Sequence, residues 1–259
     1  MASVATLRRE IEHTLQHRFP AALTPVQKTI HEVASTGIAA VDAQLDGGLP
    51  VGAISEVTGP ESSGRTTLAL SLVAARTREG QVCAWVDADD ALDPESAAAS
   101  GVNLRQLLWV RCRRTPNSAQ GKSSKRPGNL GHLDQALQAT DLLLQAGGFA
   151  AIVLDLGSTP AEDASRIPLA TWFRYRQAAD RSRSCLIVLA KASYAQSSAA
   201  AVLRCTPMRA RIAGRKVLLG FEYSVVSDRQ RFAPSVVGKR KPPASTWSAT
   251  GAWAHKEWA

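Results

Sequence analysis

The residues best suited to chemistry in this 259-residue chain form a glycine-rich loop and the helix start that follows it. They are Gly59, Pro60, Glu61, Ser62, Ser63, Gly64, Arg65, Thr66 and Thr67. The sequence predicts a strand over Ile54–Thr58 before the loop and a helix over Arg65–Arg78 after it. A loop in this setting binds phosphate oxygens through backbone N–H groups and the helix N-terminus. We therefore expect these residues to bind a nucleotide phosphate.

One residue of the loop departs from the usual pattern, which has Lys where this chain has Arg65. Lys is a compact point charge, whereas Arg carries a longer planar fork, so the two are not equivalent. Binding can survive the exchange because most donors are backbone groups, but hydrolysis needs finer placement of charge. The alternative is a loop that keeps the architecture and binds no nucleotide.

Acidic residues at the ends of two later predicted strands complete the candidate site. Asp155 closes the apolar strand 150–154, at the position of a carboxylate that holds Mg²⁺, and Thr66 would supply a hydroxyl ligand. Asp87, Asp89 and Asp90 follow the strand 82–86, where a carboxylate can polarise a water for attack on a γ-phosphate. An Asp at a strand end is also a common turn or helix cap, which is the alternative for Asp155.

The elements that must position these residues alternate between strand and helix. Short apolar runs separated by helices predict an α/β fold whose mostly parallel sheet is buried on both faces. Further strands are predicted at 82–86, 107–110, 150–154 and Cys185–Ala190, and further helices at 133–146 and Leu169–Ser182. Later strands at 201–205, 216–226 and 230–237 are expected to form an antiparallel end of the sheet.

Positive charge is concentrated towards the C-terminus. The chain has 31 Lys+Arg against 22 Asp+Glu, a net charge of +9. Residues 1–110 carry −5, residues 111–190 carry +5 and residues 191–259 carry +9. This asymmetry favours an anionic partner, with nucleic acid first, over a merely solvated basic surface.

Several classes of protein are disfavoured by composition. The four cysteines form no CxxC pair, which argues against a zinc site or a disulfide scaffold. No apolar run approaches the ~18 residues that span a bilayer, and the first residues lack the pattern of a signal peptide. The expected location is cytoplasmic.

Three regions are predicted along the chain. Residues 1–28 would form an N-terminal amphipathic helix and a linker, with Leu7, Ile11 and Leu15 on one stripe that docks on the core or on a partner. Residues 29–238 would form the core, interrupted by a basic loop at 111–131, and residues 239–259 a basic C-terminal tail.

The basic residues and the tail tryptophans are candidate contact residues. Candidates for DNA phosphate contacts are Arg111, Arg113, Arg114, Lys122, Lys125, Arg126, Arg209 and Arg211. No base-reading signature accompanies them, so binding would be independent of sequence and would weaken with salt. Trp247, Trp253 and Trp258 are interpreted as a partner-docking motif, with base stacking or a solvated tail as alternatives.

The G-P-E-S-S-G string at residues 59–64 and the D-A-D-D-A-L-D-P string at residues 87–94 resemble the RecA recombinases. The resemblance is strong over about residues 35–110 and looser to about 237. It implies a RecA-like P-loop core, ATP and Mg²⁺ as cofactors, and DNA as a partner. It also implies that Asp89 stands where RecA has a catalytic Glu and that Lys191 stands where RecA has a Gln that senses the γ-phosphate.

Departures from the RecA pattern change the expected function. Arg65, Asp89 and Lys191 all alter the ATP switch, and the DNA-binding loop is cut to about residues 192–199. A reduced RecA core with a short N-terminal helix and a basic tail resembles the ImuA family. That resemblance implies an accessory role in SOS-induced, error-prone translesion synthesis. The implied partners are an ImuB-like polymerase homologue, RecA and an error-prone DNA polymerase, in a bacterial, nucleoid-associated setting.

Two main functional hypotheses follow. The first is a non-enzymatic RecA-like accessory protein of DNA repair, and the alternative is a DNA-dependent ATPase of the recombinase class. A simple basic DNA-binding module is a third reading.

Overall fold

A computed structural model describes residues 32–112, 130–213, 217–231 and 244–250. The strands of these residues are β1 (Val33–Ala34), β2 (Leu49–Pro50), β3 (Ile54–Thr58), β4 (Cys83–Asp87), β5 (Leu107–Arg111), β6 (Ala151–Asp155), β7 (Cys185–Ala190), β8 (Ala199–Ala213), β9 (Val217–Gln230) and β10 (Ser245–Thr250). The helices are α1 (Ala39–Gln44), α2 (Arg65–Arg78), α3 (Pro94–Ala99), α4 (Leu130–Ala146), α5 (Ala161–Ser165) and α6 (Leu169–Ser182).

One large sheet organises the described residues. Its eight strands follow the order β10-β9-β8-β3-β7-β6-β4-β5, and β1 pairs with β2 in a separate small sheet. In this order, every pair of adjacent strands from β8 to β5 is parallel, whereas the pairs β8–β9 and β9–β10 are antiparallel. The predicted α/β fold with a mostly parallel sheet and an antiparallel end is confirmed.

The central strands are buried on both faces because apolar clusters lie on each side of the sheet. One cluster joins the sheet to α2 through Leu68 and Leu72. The other joins it to α4 and α6 through Leu144, Trp172 and Tyr175. Continuous apolar strands are typical of a parallel sheet covered on both faces.

The helices and parallel strands agree closely with the predicted elements. The bounds of β3, α2, α6 and β7 are those predicted, and α4 begins three residues earlier, at Leu130. The residues that follow the predicted strands therefore lie at the carboxyl ends of those strands, where sheets of this kind bind their ligands. No helix among the described ranges is both long and apolar enough to traverse a bilayer.

One prediction for the C-terminal part falls mostly outside the described residues, and a second is corrected by the structure. A strand was expected at 230–237, but β9 ends at Gln230, Arg231 lies in a bend, and residues 232–237 lie outside the described residues. Residues 245–250 are not part of a separate tail, because β10 pairs with β9 and contacts α1.

Trp247 is consequently a core residue rather than a partner-docking residue. Its side chain is 8% exposed, and its ring centroid lies 5.3 Å from that of Tyr223 on β9. Trp247 and Tyr223 are paired in the β9–β10 register, so both aromatic rings emerge from the same face of the sheet.

Other predicted contact residues lie outside the described residues. These are Leu7, Ile11, Leu15, Arg113, Arg114, Lys122, Lys125, Arg126, Trp253 and Trp258.

Candidate phosphate-binding site

The glycine-rich loop lies between β3 and α2, as the sequence predicts. Gly64 precedes the first helical residue with φ +87°, and the amide of Leu68 donates to its carbonyl at 2.9 Å. The first N–H groups of α2 have no carbonyl one turn earlier within the helix, so this end of a 14-residue helix is suited to an anion.

Two glycines of the loop are required by the strands packed against it. A Cβ on Gly64 would lie 2.6 Å from Cγ of Tyr223, and one on Gly59 would lie 2.3 Å from the carbonyl oxygen of Cys205. Both distances are shorter than any stable contact allows. The loop is therefore in direct contact with β8 and β9, and side chains at either position would displace it.

A cleft of about 300 Å³ opens beside the loop. Glu61, Ser62, Arg65 and Thr66 line it from the loop and the start of α2. The acidic groups predicted for the site line the same cleft, at the ends of β4 and β6: Asp87, Asp89 and Asp155. The structure thus brings together the predicted phosphate-binding and acidic residues in one cleft.

Arg65 occupies the wall of this cleft rather than its mouth. Its side chain is 8% exposed, and Nη2 donates to the carbonyl oxygen of Gly157 at 3.4 Å. Nη1 is buried and has no hydrogen-bond partner among the described residues. Burial lowers the pKa of the Arg65 guanidinium, while the nearby Asp155 carboxylate acts in the opposite direction. Arginine remains charged in proteins, so a positive charge is fixed at the end of β6.

Asp155 lies next to this guanidinium, and the charged form of its carboxyl group is disfavoured. Burial raises the pKa of Asp155 to about 6, although a hydrogen bond from the Gly157 amide opposes the shift. That amide donates to Oδ1 at 2.9 Å, and the charge of Asp87 raises the pKa further.

Asp89 is bound by two side chains that the sequence did not identify. Thr159 Oγ1 donates to Oδ2 at 3.1 Å, and His132 Nε2 lies 3.3 Å from Oδ1. His132 is buried at the start of α4, and Thr159 precedes α5. Both contacts join residues at least 43 positions apart, so no local pattern in the sequence signals them.

Asp87 has a structural role in the turn after β4. Its Oδ1 accepts from the amide of Ala91 at 2.9 Å, and its Oδ2 accepts from Leu92 at 2.8 Å and from Trp109 Nε1 at 3.2 Å. These bonds hold the segment carrying Asp89 against β5.

Lys191 lies on the other side of the phosphate-binding loop, paired with Glu61 at 3.3 Å. The segment that begins with Lys191 is fixed by Glu56, a fully buried residue of β3 that the sequence also did not identify. Glu56 accepts from Ser193 Oγ at 2.5 Å and from the amides of Tyr194 and Ala195 at 2.6 and 2.9 Å. Such charge-assisted bonds satisfy the buried carboxylate.

The predicted DNA-contact residues that the structure describes are partly engaged by acids. Arg111 makes two hydrogen bonds to Asp90, at 2.5 and 2.7 Å, and lies over the ring of Trp109. Arg209 is bonded to Glu222 on the neighbouring strand at 2.7 and 3.3 Å. Arg211 lies two residues further along the same strand. These pairs reduce the net positive charge that each arginine presents.

The cleft is acidic overall, because Glu61, Asp87, Asp89, Asp93 and Asp155 line it together with Arg65 as the one cationic lining residue among the residues described. Thr66 and Asp155 line the cleft as predicted for Mg²⁺ ligands, but Asp155 Oδ1 already accepts a hydrogen bond and the Arg65 charge lies beside it. Asp87 and Asp89 also have both carboxylate oxygens in contact with hydrogen-bonding groups. Throughout the described ranges, no group of three or more His, Cys, Asp or Glu residues is arranged to hold a metal ion.

Comparisons with known proteins agree with this geometry. Residues 6–121 match the sequence model of the RecA N-terminal domain. Protein RecA of Ectopseudomonas oleovorans is 43% identical over 125 residues, which are 48% of this chain and 31% of that protein. The crystal structure of the RadB recombinase has a TM-score of 0.54 at 20% identity, covering 83% of this chain and 94% of that one. The chain therefore matches under a third of its curated relative, and the likeness to RadB is one of fold.

Proposed function

We propose that this RecA-like protein is an accessory factor of DNA damage tolerance that binds nucleotide phosphate but does not exchange DNA strands. The observation that carries the proposal is that the residues at the catalytic and γ-phosphate-sensing positions are both bonded within the protein. Asp89 contacts Thr159 and His132, and Lys191 contacts Glu61.

Phosphate binding is supported by the loop and by Arg65. The backbone cradle needs no lysine, and the guanidinium supplies a fork of donors that matches phosphate oxygens. Arg65 Nη1 has no hydrogen-bond partner in the part of the chain that the structure describes, so an acceptor oxygen delivered by a ligand would satisfy it. RecA-family proteins bind ATP with Mg²⁺, and ATP or ADP is the proposed ligand class here.

Loss of strand exchange is supported by the fixed contacts around the cleft. An Asp whose oxygens accept hydrogen bonds is a weaker base for an attacking water. Lys191 carries an ammonium group in place of the neutral amide that would report a γ-phosphate, and it forms an exposed ion pair with Glu61. The segment between β7 and β8 spans only residues 191–198, and Glu56 holds its first half in place.

The proposed biological role follows the resemblance to ImuA. It is support of error-prone translesion synthesis in the SOS response through contacts with an ImuB-like polymerase homologue, RecA and an error-prone DNA polymerase. DNA is a further proposed partner, bound without sequence preference through basic residues such as Arg211. A cytoplasmic, nucleoid-associated location belongs to the same proposal.

Capture experiments with the purified full chain test this role. The protein is expected to retain RecA assembled on single-stranded DNA, the ImuB-like protein, or both. Replacing Leu7, Ile11 and Leu15 together with Ala should weaken capture, because these residues share the predicted apolar stripe, whereas Glu12→Ala should not. Failure to retain either protein would remove the basis for an accessory role.

The second candidate is a DNA-dependent ATPase, favoured by the cleft that Asp89 and Asp155 share with residues of the phosphate-binding loop. Phosphate release from ATP, with and without single-stranded DNA, separates the candidates. We expect release at the level of a buffer control. DNA-stimulated turnover that disappears in Arg65→Ala would replace the accessory role with the enzymatic one.

A further inference from the structure

We infer that this cleft binds the phosphate groups of a nucleotide without a divalent cation, with the Arg65 guanidinium in the place of the metal charge. The inference rests on the proposed nucleotide binding and adds a property that the proposal does not contain. It concerns which positive charge neutralises the phosphate.

Three of the five cleft carboxylates, those of Asp87, Asp89 and Asp93, have hydrogen-bonding groups in contact with both oxygens. Asp93 accepts from the amides of Glu95 and Ser96 as the cap of α3, and Asp87 accepts from Ala91, Leu92 and Trp109. Mg²⁺ demands near-octahedral oxygen geometry and releases water reluctantly, so recruiting these oxygens would cost the bonds that shape the cleft walls. The acids can attract a hydrated cation, but they are not arranged to coordinate one.

The unsatisfied groups at the loop are donors. Arg65 Nη1 and Ser63 Oγ are buried without a hydrogen-bond partner among the described residues. A buried donor that lacks an acceptor is costly, and a phosphate oxygen is an acceptor. Binding of an anion would satisfy these donors, and this contribution to the binding free energy does not require a metal.

The position of the guanidinium disfavours a cation directly at the end of β6, and it opposes the attraction of the five acidic residues that line the cleft. Arg65 Nη2 reaches the carbonyl of Gly157, two residues beyond Asp155, so its charge lies where a metal-holding carboxylate acts. A permanent positive charge repels a divalent cation, and the side chain can reach both this carbonyl and the cleft only because it is long. The shorter lysine ammonium has no fork to make both contacts.

Calorimetric titration of the full chain with ADP and with ATP tests the inference, in MgCl₂ and in excess EDTA. We expect the two dissociation constants for each nucleotide to agree within about twofold. Arg65→Lys should bind at least about tenfold more weakly in EDTA than in MgCl₂, because the compact ammonium leaves the phosphate needing a metal. Arg78→Lys, on the same helix but away from the cleft, should behave as the wild type.

The outcomes separate this inference from the proposed function. Wild-type binding that weakens about tenfold or more in EDTA overturns metal independence and leaves nucleotide binding intact. Absence of binding by either nucleotide in both buffers overturns the proposed function and the inference with it. Thermal unfolding of each variant without nucleotide confirms that the compared proteins are folded.

Discussion

The parallel core and the antiparallel extension of the sheet differ in how they use charge. In the core, strands β3, β4, β6 and β7 are buried, and the acids at their ends are hydrogen-bonded around the cleft. In the extension, β8–β10, arginines and acids pair across strands at the surface, as in Arg204–Asp228 and Arg209–Glu222. Exposed pairs contribute little to stability, whereas buried ones constrain which residues are tolerated.

The match to known sequences covers only part of the core, because β6 and β7, like the extension, lie beyond it. The RecA N-terminal domain match ends at residue 121, so it includes the loop, α2 and β4 but none of the extension. The extension nevertheless touches the loop directly, through Tyr223 on Gly64 and Cys205 on Gly59. The two regions are thus in direct contact at the phosphate-binding loop.

The largest effect is expected where the regions meet. Gly64→Ala should lower the free energy of unfolding by about 4 kcal/mol, because the new Cβ overlaps the Tyr223 ring and the residue has positive φ. Urea denaturation measures the change. Gly80→Ala is the matched control, since Gly80 has φ +76° and no atom within 4 Å of the added Cβ, so it should cost only about 1 kcal/mol.

Equal losses in the free energy of unfolding at Gly64 and Gly80 would contradict a close contact between the loop and β9, because backbone strain alone would then explain both losses. The double variant Gly64→Ala with Tyr223→Ala should recover part of the loss. Recovery occurs only if the ring and the added methyl group compete for the same space.

The next effect tests whether the extension is an integral part of the fold. Trp247→Ala should cost about 3 kcal/mol, because it removes a buried ring packed on Tyr223. Phe221→Ala, at a ring that is 42% exposed on β9, should cost clearly less. If thermal denaturation shows equal small losses, β10 contributes no more than a surface strand.

The smallest effect concerns the charge of the core. The pKa of Asp155 is raised from 3.8 to about 6, so the folded protein binds its proton more tightly than the unfolded chain does. Stability from this group is therefore present below about pH 4 and is lost as pH rises to about 6. Asp155→Asn, which removes the buried charge, should stabilise the protein by about 2 kcal/mol at pH 7.

Denaturation at several pH values measures this gain, which should shrink below pH 4 because the wild-type carboxyl is then protonated as well. Asp141→Asn, at an exposed ion pair with Arg174 on the surface, is the control and should show no comparable gain at neutral pH. A destabilised Asp155→Asn at pH 7 would mean that the charged form is favoured in the cleft.

The sequence predicted those parts of the fold that depend on local pattern. The bounds of α2 and α6 follow from apolar periodicity, and the buried strands follow from continuous apolar runs. β10 was missed because its pairing with β9 depends on partners distant in the chain, and three tryptophans near a basic run resemble an exposed motif. As Trp247 illustrates, the presence of an aromatic residue in the sequence does not indicate whether its ring packs in the core or docks a partner.

The sequence predicts which residues line the candidate site, but it does not predict the residues that hydrogen-bond to them. Arg65, Asp89 and Asp155 do line one cleft, since strand ends and the loop converge in this topology. His132, Thr159 and Glu56 were missed because their contacts cross 43 to 139 positions of sequence. The direction of the Arg65 side chain also depends on Gly157, a residue from another strand end.

The hydrogen bonds of the Glu56 carboxylate affect how fast the segment at residues 193–195 can move. Loops after a strand ordinarily move within nanoseconds to microseconds, because few bonds oppose them. The segment at residues 193–195 is instead bonded to the interior of the central strand, at a side chain with no exposure to solvent. Its release requires a buried charge to lose three donors at once. We therefore expect the segment to open more slowly than an ordinary surface loop, although it has no strand pairing of its own.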